Sequence, residues 1–265
     1  MPCTLSAFGR APLAAVVIAL GTWAMAPAQA QDTCANRGDL DVQFCDANKD
    51  LVADTPTDPK KLKNPSTIVF TYTPVEDPAV YQQIFDPFTK HLAQCSGKRV
   101  VFYQVQSNAA EIEAMRSGRL HVGGFSTGPT AFAVNIAGAI PFAVKGNEKE
   151  YQGYNLILVV KKDSAFQKPA DLKGKRVAHT APSSNSGHMA PMALFPAEGL
   201  APETDYKVLF SGKHDQSIMG VNSGDYDAAM VASDVFDRMV NRGTVKAPDF
   251  LRSRCAASRM ARRPI

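Results

Sequence analysis

The chain has 265 residues, a formal net charge of +4 and five cysteines. Arg10 and the five arginines of the last fifteen residues supply the positive balance, so the body between them is slightly acidic. That argues against nucleic-acid binding and against docking on an anionic membrane, both of which need clustered Lys and Arg.

Residues 1–30 read as a targeting segment. Arg10 gives the positive start, Ala11 to Trp23 is an apolar run too short to span a bilayer comfortably, and Ala28-Gln29-Ala30 is a small-x-small cleavage site. Cys3 precedes the apolar run, so it is not a lipid-attachment cysteine. The mature chain is expected to begin near Gln31, exported and soluble, with room for two modest domains.

Residues 31–66 form a polar arm. Export places its cysteines in an oxidising compartment. Cys34 and Cys45 bracket a short loop and are expected to pair, leaving Cys95 as a buried free thiol. Without any C-x-x-C pair, a redox enzyme or zinc ribbon has no support. Asp46-x-Asn48-x-Asp50-x-x-x-Asp54 has the oxygen spacing of a calcium loop. Leu51 stands where that loop needs glycine and no terminal glutamate follows, so a solvated Asp/Asn-rich turn is the competing reading.

From Thr67 strands and helices alternate. Thr67 to Tyr72 is a β-rich run, and Asp77-Pro78 opens a helix with Val80, Ile84, Phe85, Phe88 and Leu92 at helical spacing. Arg99 to Val105 is the next strand. Asn108-Ala109-Ala110-Glu111 reads as a capping box for a helix that stops at Gly118. Strand Leu120 to Phe125 leads into Ser126-Thr127-Gly128-Pro129, with Pro129 suited to the first helical position. Two hydroxyls and unpaired backbone N–H groups at one helix start make an anion site or an ordinary Ser/Thr cap. Ile140 to Val144 is expected as a further strand. These elements make a first lobe over 67–155.

A second lobe is expected over 156–250. It starts in the apolar strand Tyr154 to Lys161 and includes strands near Val177, Tyr206 to Phe210 and Tyr226 to Val231. Pro182-Ser183-Ser184-Asn185-Ser186-Gly187-His188 repeats the hydroxyl-rich helix start, and helices run from His214 and Ser233. Ile112, Met115, Ser117 and Gly118 before one strand match Ile218, Val221, Ser223 and Gly224 before another. The reading is one architecture used twice, or a chance match of a common unit. Strands joined by helices imply parallel, doubly wound sheets that bind ligands where strand C-termini meet helix N-termini. Residues 251–265 have no acidic side chain and no clear period; they read as a truncated or altered end, or a basic interaction tail.

The sequence has no H-E-x-x-H, Walker A or G-x-G-x-x-G motif and no evident nucleophile and base arrangement, so neither an enzyme nor a cofactor is expected. The cleft offers hydroxyls, the Asn185 amide, a histidine (His188 or His214) and a phenol from Tyr72, Tyr151 or Tyr154. That set suits a tetrahedral oxyanion held by uncharged donors. Asp227, in a strand heading for the cleft, could accept a proton from P–OH and repel sulfate, or could pair with a surface cation.

Thr73-Pro74-Val75-Glu76-Asp77-Pro78, Ser126-Thr127-Gly128-Pro129, Ser184-Asn185-Ser186-Gly187 and Ser211-Gly212-Lys213-His214-Asp215 occur in order. With them the chain resembles the periplasmic phosphate/phosphite/phosphonate-binding proteins of ABC importers from about Thr67 to about Phe250. The resemblance implies an α/β two-lobed periplasmic-binding-protein fold with a ligand cleft between lobes. It implies ligand contacts from Tyr72, Ser126, Thr127, Ser184, Asn185, Ser186, His188 and Asp227. A monomer in the periplasm, binding a small phosphorus oxyanion and delivering it to an inner-membrane ABC permease, is the expected role. A periplasmic sensing module that reports to a membrane receptor is the alternative.

Overall fold

The computed structural model describes residues 34–260; the expected leader over 1–30 lies outside the described residues. Among the described residues no helix is long and apolar enough to cross a membrane. The first lobe is built on β1 (Thr67–Tyr72), the middle strand of a parallel sheet between β2 (Arg99–Phe102) and β3 (Val122–Gly124). Asp77 accepts the Ala79 N–H and Pro78 starts a short 3-10 turn, which runs into α1 (Tyr81–Ser96). Gly97, at φ 65°, ends α1 in the left-handed conformation that glycine adopts without strain. Phe70 on β1 meets Phe88 at 4.8 Å, Phe85 at 5.3 Å and Phe102 at 5.8 Å, which locks α1 to the sheet. Such aromatic pairs contribute about 0.5–1.5 kcal/mol each beyond area burial. α2 (Asn108–Arg116) and α3 (Thr127–Ala137) complete the lobe.

The second lobe carries a five-stranded sheet in the order β6-β5-β7-β4-β8. Its strands are β4 (Tyr154–Lys161), β5 (Val177–His179), β6 (Val208–Phe210), β7 (Ala228–Ala232) and β8 (Phe250–Met260). β5 is parallel to both β6 and β7, but β4 is antiparallel to β7 and to β8. The sheet is therefore mixed, where an all-parallel sheet was expected. β4 is apolar on both sides because both of its faces are covered. Leu156, Leu158 and Val160 join Leu172, Phe195 and Leu200 on one face. Ile157 and Val159 join Ile218, Val235 and Phe236 on the other. The latter come from α5 (His214–Ser223) and α6 (Ser233–Asn241), and the first face also receives α4 (Ala190–Leu194).

Several local expectations change. β8 runs through much of the stretch expected as an irregular tail. It fills the open edge of β4, with Phe250 packed 5.3 Å from Phe236 and Arg252 paired to Asp237 at 2.9 Å. Ile140 to Val144 is not a strand; Pro141 removes a ladder donor, and Ile140 and Phe142 are exposed. The α2 cap is Ser107, whose hydroxyl accepts the Ala110 N–H at 3.1 Å, so Glu111 is not a capping-box residue but is fully buried. Pro129 is the third helical residue of α3, after Thr127 and Gly128.

The Ser-Gly stop recurs in three dimensions. Ser117 Oγ donates to Glu113 O and Ala114 O; Ser223 Oγ donates to Met219 O and Gly220 O. Each is followed by a left-handed glycine, Gly118 at φ 73° and Gly224 at φ 90°.

In the arm, Cys34 and Cys45 are disulfide-bonded with Cα atoms 5.5 Å apart. Leu40, Ala53 and Phe44 pack on Val134 of α3, and Asp41 N–H donates to Asn135 O at 2.7 Å. The calcium-like oxygens are engaged by backbone N–H groups. Asp46 accepts from Asp50 and Leu51, Asp50 from Val52, and Asp54 from Ala47. Among the described residues no group of three acidic, His or Cys side chains could hold a metal. The backbone bonds to these side chains are those of an Asp/Asn-rich turn. Cys95 is free, but exposed on α1 beside His91, not buried.

Candidate functional site

The strands of both lobes end at one cavity. β1 delivers Tyr72 and Thr73, and β3 delivers Ser126 at the cap of α3. The second lobe adds Tyr154 from β4, Ser184 and Asn185 after β5, His214 at the start of α5, and Asp234 in the first turn of α6. The cavity measures about 30 Å³. Since roughly 10–15 Å³ in this measure admits one water, the space suits two waters or one compact polyatomic ion.

Three helices of nine or more residues, α3, α5 and α6, therefore present their N-termini here. Ser126 makes no capping bond with its hydroxyl, and Ala232 at the cap of α6 has none to offer. First-turn N–H groups and the aligned peptide dipoles favour an anion at such a point.

The hydroxyls fall into two layers. Ser126 Oγ lies 3.4 Å from Thr73 Oγ1, which donates to Asn108 Oδ1 at 3.0 Å. Ser184 Oγ accepts the Gly187 N–H at 3.1 Å and sits 3.4 Å from His214 Nε2. Thr127 lies behind this layer, 2.5 Å from the Tyr154 hydroxyl, and accepts Asn185 Nδ2–H at 3.2 Å. Its hydroxyl joins the lobes. Asn108 Nδ2–H donates across to Ser183 Oγ at 3.2 Å, and a Cβ on Gly128 would come within 2.1 Å of Ser183 O. The lobes are thus closed upon each other at the two hydroxyl-rich turns.

His214 is 4% exposed, and burial pushes its pKa down to about 4. Its Nδ1 accepts the Ala232 N–H at 3.1 Å. A neutral ring with an accepting Nδ1 carries its proton on Nε2, so His214 is an uncharged donor on the cavity side. Lys145 also lines the mouth, with Nζ 3.4 Å from the Tyr72 hydroxyl and 5.5 Å from its ring centroid. It adds a cationic side chain to a cavity for which only uncharged donors were expected.

Four of the eight expected contacts do not line the cavity: Thr127, just behind it, and three that lie elsewhere. Ser186 is buried, 1% exposed, in the π-helical turn Asn185–Met189 and does not line the cavity. His188 turns away, its Nδ1 3.0 Å from His179 Nδ1 and its ring 5.0 Å from Phe210. Asp227 precedes β7, at the end remote from α6, where Arg176 binds both its oxygens at 2.9 and 3.2 Å. That arginine holds its carboxyl below the usual carboxylate range. The acid that lines the cavity is Asp234, at the far end of the same strand.

Residues 70–252 match the family described as ABC transporter, phosphonate, periplasmic substrate-binding protein. The chain belongs to this family.

Among relatives of this phosphonate-binding family member, the phosphate-import protein PhnD of Mycolicibacterium smegmatis is 29% identical over 197 residues. The match covers 69% of this chain and 60% of that protein, so the chain spans about three fifths of its relative's length. A binding-protein component of an ABC phosphonate transporter from Pseudomonas aeruginosa superposes with a TM-score of 0.65 at 21% identity, covering 74% of this chain and 65% of that one. PhnD1 from Prochlorococcus marinus, in complex with methylphosphonate, gives 0.63 at 21% identity, with 74% and 75% covered. These likenesses establish the two-lobed periplasmic-binding-protein fold.

Sequence reasoning missed Asp234, Lys145 and Thr73. Asp234 had a signal: it lies in the first turn of the helix that follows the second-lobe strand, one residue past Ser233, the counterpart of Thr127 in the repeat. Lys145 had none, because it sits in an irregular segment whose path no periodicity gives.

Proposed function

We propose that the cavity takes one small phosphorus oxoanion, phosphate, phosphite or a small phosphonate. The chain then acts as the periplasmic binding component of an ABC importer, with no catalytic step. Closure of the lobes around the ion presents it to an inner-membrane permease. The observation that carries this reading is the meeting of Ser126 and Ser184, with three helix N-termini and the Nε2 donor of His214, on one small cavity. Tyr72, Asn185 and Lys145 complete the donor set. The names of the relatives, a phosphate importer and a methylphosphonate complex, agree with it.

Asp234 refines the chemistry. A carboxylate facing an oxoanion is repelled unless the ligand carries a proton to donate. Singly protonated phosphorus oxoanions have that P–OH or its equivalent near neutral pH, and sulfate does not. Thr127 and Ser186 then act by holding the binding turns in place rather than by touching the ligand.

Calorimetric titration with phosphate, phosphite, methylphosphonate, 2-aminoethylphosphonate and sulfate tests this. One-to-one binding of at least one phosphorus oxoanion, with sulfate silent, is expected. Folded protein that answers to none of the phosphorus compounds would remove the proposal.

A further inference from the structure

The loop after β1 crosses to the second lobe and docks there. Val75 packs into the core of the second lobe, and its carbonyl accepts the His214 N–H at 3.1 Å. Asp77 N–H donates to Asp215 Oδ2 at 2.9 Å. Between them Glu76, 1% exposed, receives Arg238 Nε of α6 at 2.6 Å and Nη1 of Arg242, the residue that caps α6, at 2.6 Å. Arg238 turns its other arm to Asp234, Nη1 to Oδ2 at 2.9 Å. One guanidinium thus holds a first-lobe carboxylate and the cavity carboxylate together.

Guanidinium suits this role because its fork is planar and fixed, so two acceptors bound to it are fixed relative to each other. Net stabilisation is not the obvious gain, since a buried ion pair often contributes little against its desolvation. A geometric role does follow. Once Glu76 leaves, Arg238 and Arg242 face water, and the anchor of Asp234 loses half its restraint. Tyr81, whose hydroxyl lies 3.5 Å from Glu76 Oε1, backs the glutamate from its own lobe.

We propose that Glu76, Arg238 and Arg242 form a clasp that engages only when the lobes close, with Arg238 as the positioning residue that sets Asp234 against the ligand. Closure and the orientation of the cavity acid are then one event. The clasp leaves the ligand untouched and acts through the fork of Arg238. This inference rests on the oxoanion reading for its ligand readouts, whereas its lobe-distance readout stands without a ligand.

The test is a spin-label distance across the lobes. In a Cys255→Ser background, Cys95, exposed on α1, takes one label and Asp163→Cys, on the exposed turn after β4, takes the other. Distances are recorded for the parent, Glu76→Gln and Arg242→Gln, with and without saturating methylphosphonate. Arg252→Gln, which loses the Asp237 pair and the contact with the Phe236 ring but no partner of Glu76 or Asp234, serves as control. We expect a short distance in the parent, a longer population in Glu76→Gln and Arg242→Gln without ligand, and no change in the control. Methylphosphonate dissociation should quicken by about tenfold or more in Glu76→Gln, the usual sign of a lost buried charge pair. Arg238→Lys keeps the charge without the fork. It should flatten the fall in methylphosphonate affinity expected of the parent as pH rises from 6 to 8.5 and the ligand loses its proton, which a purely structural arginine would leave in place.

Identical distances in all variants would overturn the clasp. A distance change with unaltered dissociation and an unaltered pH profile would overturn the link to Asp234. If Glu76→Gln fails to melt cooperatively, Arg242→Gln decides, because it leaves Glu76 paired with Arg238. If the parent binds no phosphorus oxoanion, the functional reading falls while the distances still decide the clasp.

Discussion

At His214, burial and one backbone bond set both charge and tautomer, and a pH dependence follows. Its pKa of about 4 in the folded chain lies below the ordinary 6.5, so the unfolded chain binds the proton more readily in that interval. Stability is whole above about pH 6.5, falls as pH drops and levels off below about pH 4. His179, driven down to about 3 by burial and by His188, adds in the same direction. Thermal melts at pH 4.5, 6 and 8 should show a falling Tm on acidification, each ring once fully protonated in the unfolded chain costing roughly 3 kcal/mol of stability. His214→Gln should shrink that fall and weaken ligand binding. Glu111 shows the opposite sign. Burial raises its carboxyl well above 4.5, with Thr73 acting weakly the other way, and neither oxygen has a hydrogen-bond partner among the described residues. The folded chain keeps the proton that the unfolded chain releases, so stability falls as pH rises above about 4.5. Glu111→Gln should therefore gain stability over the parent increasingly between pH 5 and 8, read from urea midpoints. No pattern in the sequence separates these two buried groups from surface ones; the capping-box spacing even placed Glu111 at a helix end.

Between elements, α3 and the turn after β5 approach as closely as their backbones permit, and Gly128 is the reason. A Cβ there would meet Ser183 O at 2.1 Å and Asn185 N at 2.8 Å, both backbone atoms that cannot swing aside. Gly128→Ala should hold the two turns apart and reduce phosphorus-oxoanion affinity by at least about tenfold, with a stability loss of roughly 1–3 kcal/mol from overpacking. Calorimetry beside a thermal melt separates the two effects. At the neighbouring junction of β7 and α6, Asp234→Asn should relax the exclusion of sulfate, since an amide can donate where a carboxylate cannot. Continued silence of sulfate in that variant would count against the role of Asp234. The strand and helix series around these junctions was largely legible. β1 and β4 occupy their expected spans, and the Ser-Gly stops of α2 and α5 mark equivalent turns. The ends that face the cavity were harder, because Asp227 and Asp234 flank one strand and only one of its ends opens on the cavity.

In the whole molecule the arm is a strap on the first lobe, cross-linked within itself by the Cys34–Cys45 bridge and packed through Leu40 and Phe44 against α3. The bridge closes a sequence separation of 11 residues. A loop of about that size stabilises by roughly 2–3 kcal/mol through the unfolded chain. None of the cavity residues lies in the arm. Cys34→Ala/Cys45→Ala should therefore lower the melting temperature while leaving oxoanion affinity within about twofold of the parent; a large affinity loss would mean the strap supports the site through α3.

Residue order and type were enough to announce two α/β lobes, the disulfide and the hydroxyl-rich turns at Ser126 and Ser184. Those features depend on local propensity, apolar periodicity and cysteine spacing, which short windows of sequence contain. The antiparallel entry of β4, the burial of Glu76 between two arginines 162 and 166 residues away, and the exchange of Asp227 for Asp234 emerged only once the chain was folded. Each is set by which distant segments share a face, and direction, register and burial are properties of the packed molecule.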